Sequence, residues 1–285
     1  RGGLRRALQR QPDPCALAAG DGLADPALRA ALQGLDWDQA DRDLEALLAA
    51  GATLVPHDSP DYPPQLAQAP AAPLALFVRG DLDALHLPQI ALVGSRKATA
   101  GGLRNARDFA RFFAAHGLTV TSGLALGIDA AGHEGALAGG GKTVAVMGTG
   151  VNRLYPARHA ALAEQILAQG ALVSEYLPGT PPLGRNFPQR NRIISGLSLG
   201  VLVVEAARSS GSLLTARGAL EQGREVFAIP GSIHSPVARG CHALIREGAK
   251  LVEEAQDVVD ELGALLAELA DQQPAAAGAH AVRPP

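Results

Sequence analysis

From Gln89 onward, short apolar runs alternate with longer segments whose apolar positions recur every three or four residues. The runs at 90–93, 119–121, 143–147, 171–174, 201–204 and 225–229 predict strands. Segments 102–115, 128–138, 157–169, 190–197 and 212–222 predict the helices between them. Strands that read as continuous apolar runs are buried on both faces, and their alternation with helices predicts an α/β fold: an extended Rossmann-like, doubly wound, mostly parallel sheet. Residues 249–252 add a final strand and 254–270 a final helix. Upstream the pattern differs. Residues 36–50 form a predicted helix, with Asp36 and Asp38 near its start, Leu44, Leu47 and Leu48 at helical spacing, and Gly51 as its stop. Residues 53–73 are rich in proline and read as a connector, followed by a short strand at 74–78. The expected organisation is a small helical (SAM-like) N-terminal domain with its connector over 1–70, a sheet domain over 71–270, and an Ala/Pro/Gly-rich tail over 271–285.

Composition narrows the class. The chain has 285 residues, of which 47% are hydrophobic, enough for a sizeable core. Its longest uncharged apolar run, residues 193–204, is too short to span a membrane, which takes about 20 residues. No apolar segment follows Arg1, Arg5 and Arg6 as a signal peptide would require. Cys15 and Cys241 are too few for a disulfide framework and suit a reducing cytoplasm. A cytoplasmic protein is expected.

Charge becomes informative once it is divided along the chain. Residues 90–220 hold 13 Lys/Arg against 6 Asp/Glu, a net of +7, while the flanks on either side are each net −5. Eleven of those cations are arginines, the side chain suited to two-pronged phosphate contacts. A basic block between acidic flanks points to an anionic partner.

In open parallel sheets, ligands settle beyond the carboxyl ends of the strands. The first predicted strand runs into Gly94, Ser95, Arg96 and Lys97, and the second into Ser122, Gly123 and Gly127. The third is followed by Arg153, Tyr155 and Arg158. The fourth leads through a Pro/Gly loop to Arg185, Phe187, Arg190 and Arg192, and the fifth reaches Ser210, Gly211 and Ser212. Any one glycine here is accounted for by a tight turn. Their recurrence beside arginine is what phosphate contact at helix N-termini needs.

Several enzyme motifs fail on spacing. Residues 139–143 imitate a phosphate-binding loop but precede a strand and lack its first glycine, leaving Lys142 as a strand-entry residue facing solvent. Gly94 opens no Gly-x-Gly-x-x-Gly pattern, so a nicotinamide cofactor is not expected. His133 and Glu134 lack the second histidine of a zinc helix, and His133 reads as a helix-face residue. No histidine neighbours Ser210 or Ser212 to activate a serine.

The stretches VGSRKAT (93–99), TSGLALGIDAAGH (121–133), VAVMGTGVNRLYP (144–156), SEYLPGTPPLGRNFPQRNRIISGLS (174–198), VVEAARSSGSLLTARGALEQGREVFAIPGS (203–232) and GCHALIREGAKLV (240–252) closely resemble the DNA-processing protein A family (DprA, also called Smf). The resemblance implies a Rossmann-like domain that binds single-stranded DNA without hydrolysing it. It also implies protection of incoming DNA during natural transformation, loading of the RecA recombinase, and a homodimer. A winged-helix domain often follows in relatives, and none is read here before Pro285. Relatives often carry a basic residue three positions before the Phe of the Phe-Pro pair. Here that position is Gly184, and Arg185 follows it.

The residues themselves fit this implication, because single-strand binders join a cationic groove to sequence-tolerant stacking surfaces. Tyr155 and Phe187 stand among arginines in a chain with only 4% aromatics. The site expected is therefore Gly94 to Lys97, Ser122, Gly123, Gly127, Arg153, Tyr155, Arg158, Arg185, Phe187, Arg190, Arg192 and Ser210 to Ser212. No metal and no cofactor are expected. The rival is a Rossmann-like nucleoside-monophosphate phosphoribohydrolase of the lysine decarboxylase-like (LOG) type. Those enzymes carry Pro-Gly-Gly-x-Gly-Thr and a glutamate three residues on, where this chain has Gly218 after Thr215 and no acid until Glu221.

Overall fold

A computed structural model describes residues 37–272. The helical N-terminal domain expected before residue 37 and the tail beyond residue 272 lie outside the described residues. Helix α1 (Trp37–Ala49) opens the described part, and the chain divides into compact units at Ala46/Leu47. The second unit is built on one nine-stranded sheet.

Its strands are β1 (Ala52–Pro56), β2 (Ala75–Gly80), β3 (Gln89–Val93), β4 (Thr119–Ser122), β5 (Thr143–Val146), β6 (Ala171–Ser174), β7 (Gly200–Val203), β8 (Glu225–Ala228) and β9 (Lys250–Leu251). They lie in the order β1-β2-β6-β5-β4-β3-β7-β8-β9. β1, β2 and β6 pair antiparallel, and all other pairs are parallel. The helices are α2 (Pro64–Ala67), α3 (Ala100–Ala115), α4 (Ile128–Ala138), α5 (Ala160–Gln169), α6 (Asn186–Leu197), α7 (Ser212–Glu221), α8 (Arg239–Arg246) and α9 (Ala255–Gln272). No helix among the described residues is long and apolar enough to cross a membrane.

Strand alternation explains the two covered faces. Ala91, Val93, Val201 and Val203 enter one core with Ile193 and Leu197 of α6, Leu213 of α7 and Leu244 of α8. Ile90, Leu92 and Leu202 enter the other with Phe109 and Phe113 of α3, Ile128 of α4 and Leu262 of α9. Successive side chains point to opposite faces, so a strand buried on both must be apolar throughout. The winding runs outward from β3 to β6 and then returns to β7 on the other side of β3. α3 therefore leaves β3 towards one face, and α7 leaves β7 towards the other. The exit loops of β3 and β7 diverge there, at the switch point of the sheet.

Upstream of β2 the sequence reading needs correction. The proline-rich connector contains the edge strand β1 and the one-turn helix α2, and both belong to the sheet unit. Val55, Tyr62 and Leu66 are buried in the first core. Tyr62 donates its hydroxyl to the Pro73 carbonyl at 2.8 Å, and Arg224 donates to the Gln65 carbonyl at 2.8 Å. The prolines sit at an edge and at a helix start, where no backbone N–H is needed. Helix α8 was also missed, and its apolar Cys241 and Leu244 face the core. A chain that starts at Leu74 is expected to melt well below one that starts at Trp37. It loses the buried side chains of Val55, Tyr62 and Leu66 among others, each of these contributing roughly 1.5–3 kcal/mol, and it bares the β2 edge. Equal midpoints in calorimetry would show that residues before Leu74 are separable from the sheet.

Candidate nucleic-acid interface

Three loops at the carboxyl edge bring one arginine and two aromatic rings together. Arg96, in the exit loop of β3, holds its guanidinium carbon 5.9 Å from the centre of the Phe187 ring. Phe187 lies in the first turn of α6, and its ring centre is 5.5 Å from that of Tyr155, which follows β5. Tyr155 is 48% exposed, so the platform meets solvent. Gly148 makes this approach possible: a Cβ there would lie 2.8 Å from the Phe187 ring.

Hydrogen bonds hold the loops in place. Asn186 is buried and donates to the Gly148 carbonyl at 3.1 Å. Its own carbonyl accepts from the Tyr176 hydroxyl at 3.1 Å. Thr149 Oγ1 donates to the Arg153 carbonyl, and Ser174 Oγ donates to the Thr149 carbonyl, both at 2.6 Å. Gly179 N donates to Asn152 Oδ1 at 2.7 Å, tying the β5 loop to the β6 loop. Preorganisation of this kind lowers the ordering cost of binding.

Arg96 forms no ion pair among the described residues, and neither do Lys97, Arg153, Arg158 or Arg185; all five are exposed. Among the described residues the buried Asp129 makes no ion pair with Arg96. Its Oδ2 instead accepts from Gly123 N at 3.1 Å and Ala125 N at 3.3 Å. Burial pushes the Asp129 carboxyl up, with Arg190 the foremost opposing charge.

Other expected contact residues make bonds or close contacts within the protein. Arg190 is only 4% exposed. Its Nη1 donates to the Gly123 carbonyl at 2.8 Å and also to the Val146 carbonyl. Burial pulls its pKa down to about 10. Arg190 therefore ties α6 to the ends of β4 and β5. Arg192 pairs with Glu175 at 2.5 Å. Ser122 spends its hydroxyl on the Leu92 carbonyl at 2.6 Å. Gly94, Gly123 and Gly127 are close-packing positions. Gly127 has φ +79°, and a Cβ there would fall on the Ser95 carbonyl. Lys142 is ion-paired with Asp81 rather than free in solvent. His133 is fully buried on α4 with Nδ1 2.7 Å from the Thr143 hydroxyl, and burial lowers its pKa to about 3.

At the start of α7, Ser210 and Ser212 bond each other at 2.7 Å, Gly211 is exposed and Ser212 is buried. The more telling helix start is that of α3. Thr99 caps it by accepting from Gly102 N at 3.0 Å. Glu205, leaving β7, accepts from Thr99 N at 2.9 Å and from Thr99 Oγ1 at 2.6 Å. A protein carboxylate thus occupies the position where a Rossmann-like fold usually receives a nucleotide phosphate. The sequence shows both residues, but only the fold brings them together across 106 positions. Among the described residues no group of three His, Cys, Asp or Glu gathers as metal ligands would.

The comparisons agree with this architecture. The model of the family described as DNA recombination-mediator protein A matches residues 53–263. Protein Smf of Escherichia coli (strain K12) is 56% identical over 210 residues, which take in 73% of this chain and 56% of that protein. The chain thus spans little more than half of this relative. DNA processing protein DprA of Streptococcus pneumoniae is 48% identical over 200 residues, 70% of this chain and 71% of its own. The X-ray structure of DNA processing protein A from Streptococcus pneumoniae superposes with a TM-score of 0.78 at 39% identity, covering 90% of this chain and 89% of that one. DNA processing protein A from Helicobacter pylori, solved for its single-stranded DNA binding mode, gives 0.68 at 26% identity, with 75% and 96% covered. The matched region holds all nine strands but the first residue of β1, along with the loops that form the aromatic platform. On sheet, loops and sequence together, the chain belongs to the DNA recombination-mediator protein A family.

Proposed function

We propose that the chain binds single-stranded DNA along the carboxyl edge of its sheet, with little dependence on sequence. The observation that carries this reading is the convergence of Arg96, Phe187 and Tyr155 beside unpaired arginines. The rings offer a stacking surface that every base can use, worth about 1–3 kcal/mol per base. Arg96, free of any carboxylate, offers two parallel donors to a phosphate. Arg153, Arg158 and Arg185 extend the cationic edge.

On this reading the bound strand is shielded during DNA uptake and passed to the RecA recombinase, and the protein works as a homodimer. The family description as a recombination mediator and the relatives' name as DNA processing proteins support the DNA-processing and recombination part of this reading. No turnover accompanies binding. The two carboxylates at strand ends are already committed, Glu175 to Arg192 and Glu205 to the start of α3. The hydrolase glutamate after Thr215 is absent from the sequence.

A fluorescence titration at two salt concentrations tests the reading. Single-stranded oligonucleotides are expected to bind more tightly than duplex, with affinity falling as salt rises. Duplex preference, or base or phosphate released from nucleoside monophosphates above background, would overturn it and favour the phosphoribohydrolase.

A further inference from the structure

The loop that carries Arg96 is held at both ends by one residue. Glu205, leaving β7, accepts from Ser95 N at 2.7 Å through its backbone carbonyl. Its carboxylate takes the far end, with Oε2 accepting from Thr99 N at 2.9 Å and Oε1 from Thr99 Oγ1 at 2.6 Å. Arg96 and Lys97 stand exposed between those ends. Two glycines leave room for this splint. A Cβ at Gly94 would lie 2.8 Å from the Glu205 carbonyl oxygen, and one at Gly102 would fall on the carboxyl carbon. Resting on the single-strand reading above, we propose that Glu205 is a positioning residue for strand binding, which acts by holding Arg96 where it meets phosphate.

Bonding and charge together single out this role. Ile128 N donates to the Ser95 carbonyl at 3.2 Å, so the near end of the loop is pinned from β4 as well as β7. Lys97 N donates to Ser95 Oγ at 3.1 Å, a bond that moves with the loop. The Thr99 bonds fix the far end to β7, and with both ends set Arg96 lies over the Phe187 ring. Charge alone predicts the opposite influence on binding. A carboxylate beside the cationic edge repels strand phosphates, and at physiological salt, with a Debye length of about 8 Å, that repulsion is only partly screened. If Glu205 acted through its field, removing its charge would tighten binding. Positioning predicts looser binding, because a freed loop has to be ordered again whenever a strand arrives. The sign of the change therefore separates the two roles.

The test titrates wild type, Glu205→Gln and Thr99→Val with one thymidine oligonucleotide, well below every melting midpoint. Each variant is made alone and in the Arg96→Ala background. Glu205→Gln keeps the size of the side chain beside Gly102, and Thr99→Val keeps the Glu205 charge while removing the hydroxyl bond. Glu205→Gln is expected to weaken binding roughly tenfold, the scale of the Arg96–phosphate hydrogen bond that depends on it. Thr99→Val should weaken it in the same direction. In the Arg96→Ala background neither change should cost more than about twofold, since nothing remains to be positioned. Tighter or unchanged binding by Glu205→Gln would overturn the proposal, and so would unchanged binding by Thr99→Val. Equal losses with and without Arg96 would make Glu205 a general support of the fold and overturn it too. Failure of the wild-type protein to bind the strand would instead overturn the single-strand reading.

Discussion

Replacing Arg190 by methionine is expected to lower stability by roughly 3–5 kcal/mol, the cost of leaving a buried charge without its counterpart. Methionine fills much of the same space, so the loss comes chiefly from polar groups. The Gly123 and Val146 carbonyls lose their donor, and Asp129, 7% exposed, loses its foremost stabilising charge. The deficit should depend on pH. Burial raises the Asp129 pKa above its ordinary 3.8. Its contribution to stability is therefore complete below that value and is lost as pH rises through the raised folded one. Without Arg190 the folded value rises further, so the variant's deficit is widest near neutrality and narrows in acid. Asp129→Asn in the Arg190→Met background should recover part of the loss at pH 7. Denaturant melts at pH 7 and pH 4 check this, and a deficit independent of pH would mean that Asp129 is indifferent to Arg190.

Arg96→Ala is expected to behave in the opposite way, melting normally and binding every single strand more weakly. Its guanidinium rests over Phe187 and holds no carboxylate, so its removal breaks no ion pair. The slope of log affinity against log salt should fall by roughly 0.7, the increment for one phosphate on a single strand. Phe187→Ala should cost about 1–3 kcal/mol in binding with little change in that slope, since stacking releases no counterion. If Arg96→Ala instead lowers the melting temperature and spares the slope, the phosphate contact moves to Arg153, Arg158 and Arg185. Arg190 bonds the Gly123 carbonyl and Arg192 pairs with Glu175.

These two arginines mark the boundary between what a sequence can show and what it cannot. Both follow the same strand-end run, and both read as contacts for an anion. The period of hydrophobicity reveals that α6 is a helix, but its sense of rotation against the sheet is set by packing. Ile193 and Leu197 turn towards the core, which swings Arg190 under the ends of β4 and β5. The same rotation leaves Phe187 at the edge, facing Tyr155 and Arg96. The proline-rich stretch before β2 was opaque for another reason. A five-residue edge strand gains its stability from pairing with β2, and local propensity carries little trace of that.

What the sequence determined by itself is the sheet from β3 to β8, because strands buried on both faces must be apolar along their whole length. It also determined which loops lie at the carboxyl edge, since direction follows from the parallel winding. The arginine excess of the middle block was equally legible, being a matter of composition. The tertiary structure alone decided which polar side chains remain free. Glu205 could serve as a catalytic acid on sequence grounds, yet it closes the start of α3 through Thr99. Arg96 could have paired with Asp129, yet the backbone N–H groups of Gly123 and Ala125 satisfy that carboxylate first. Partner choice among charged groups depends on distances of a few ångströms between segments far apart in the chain, and only folding sets those distances.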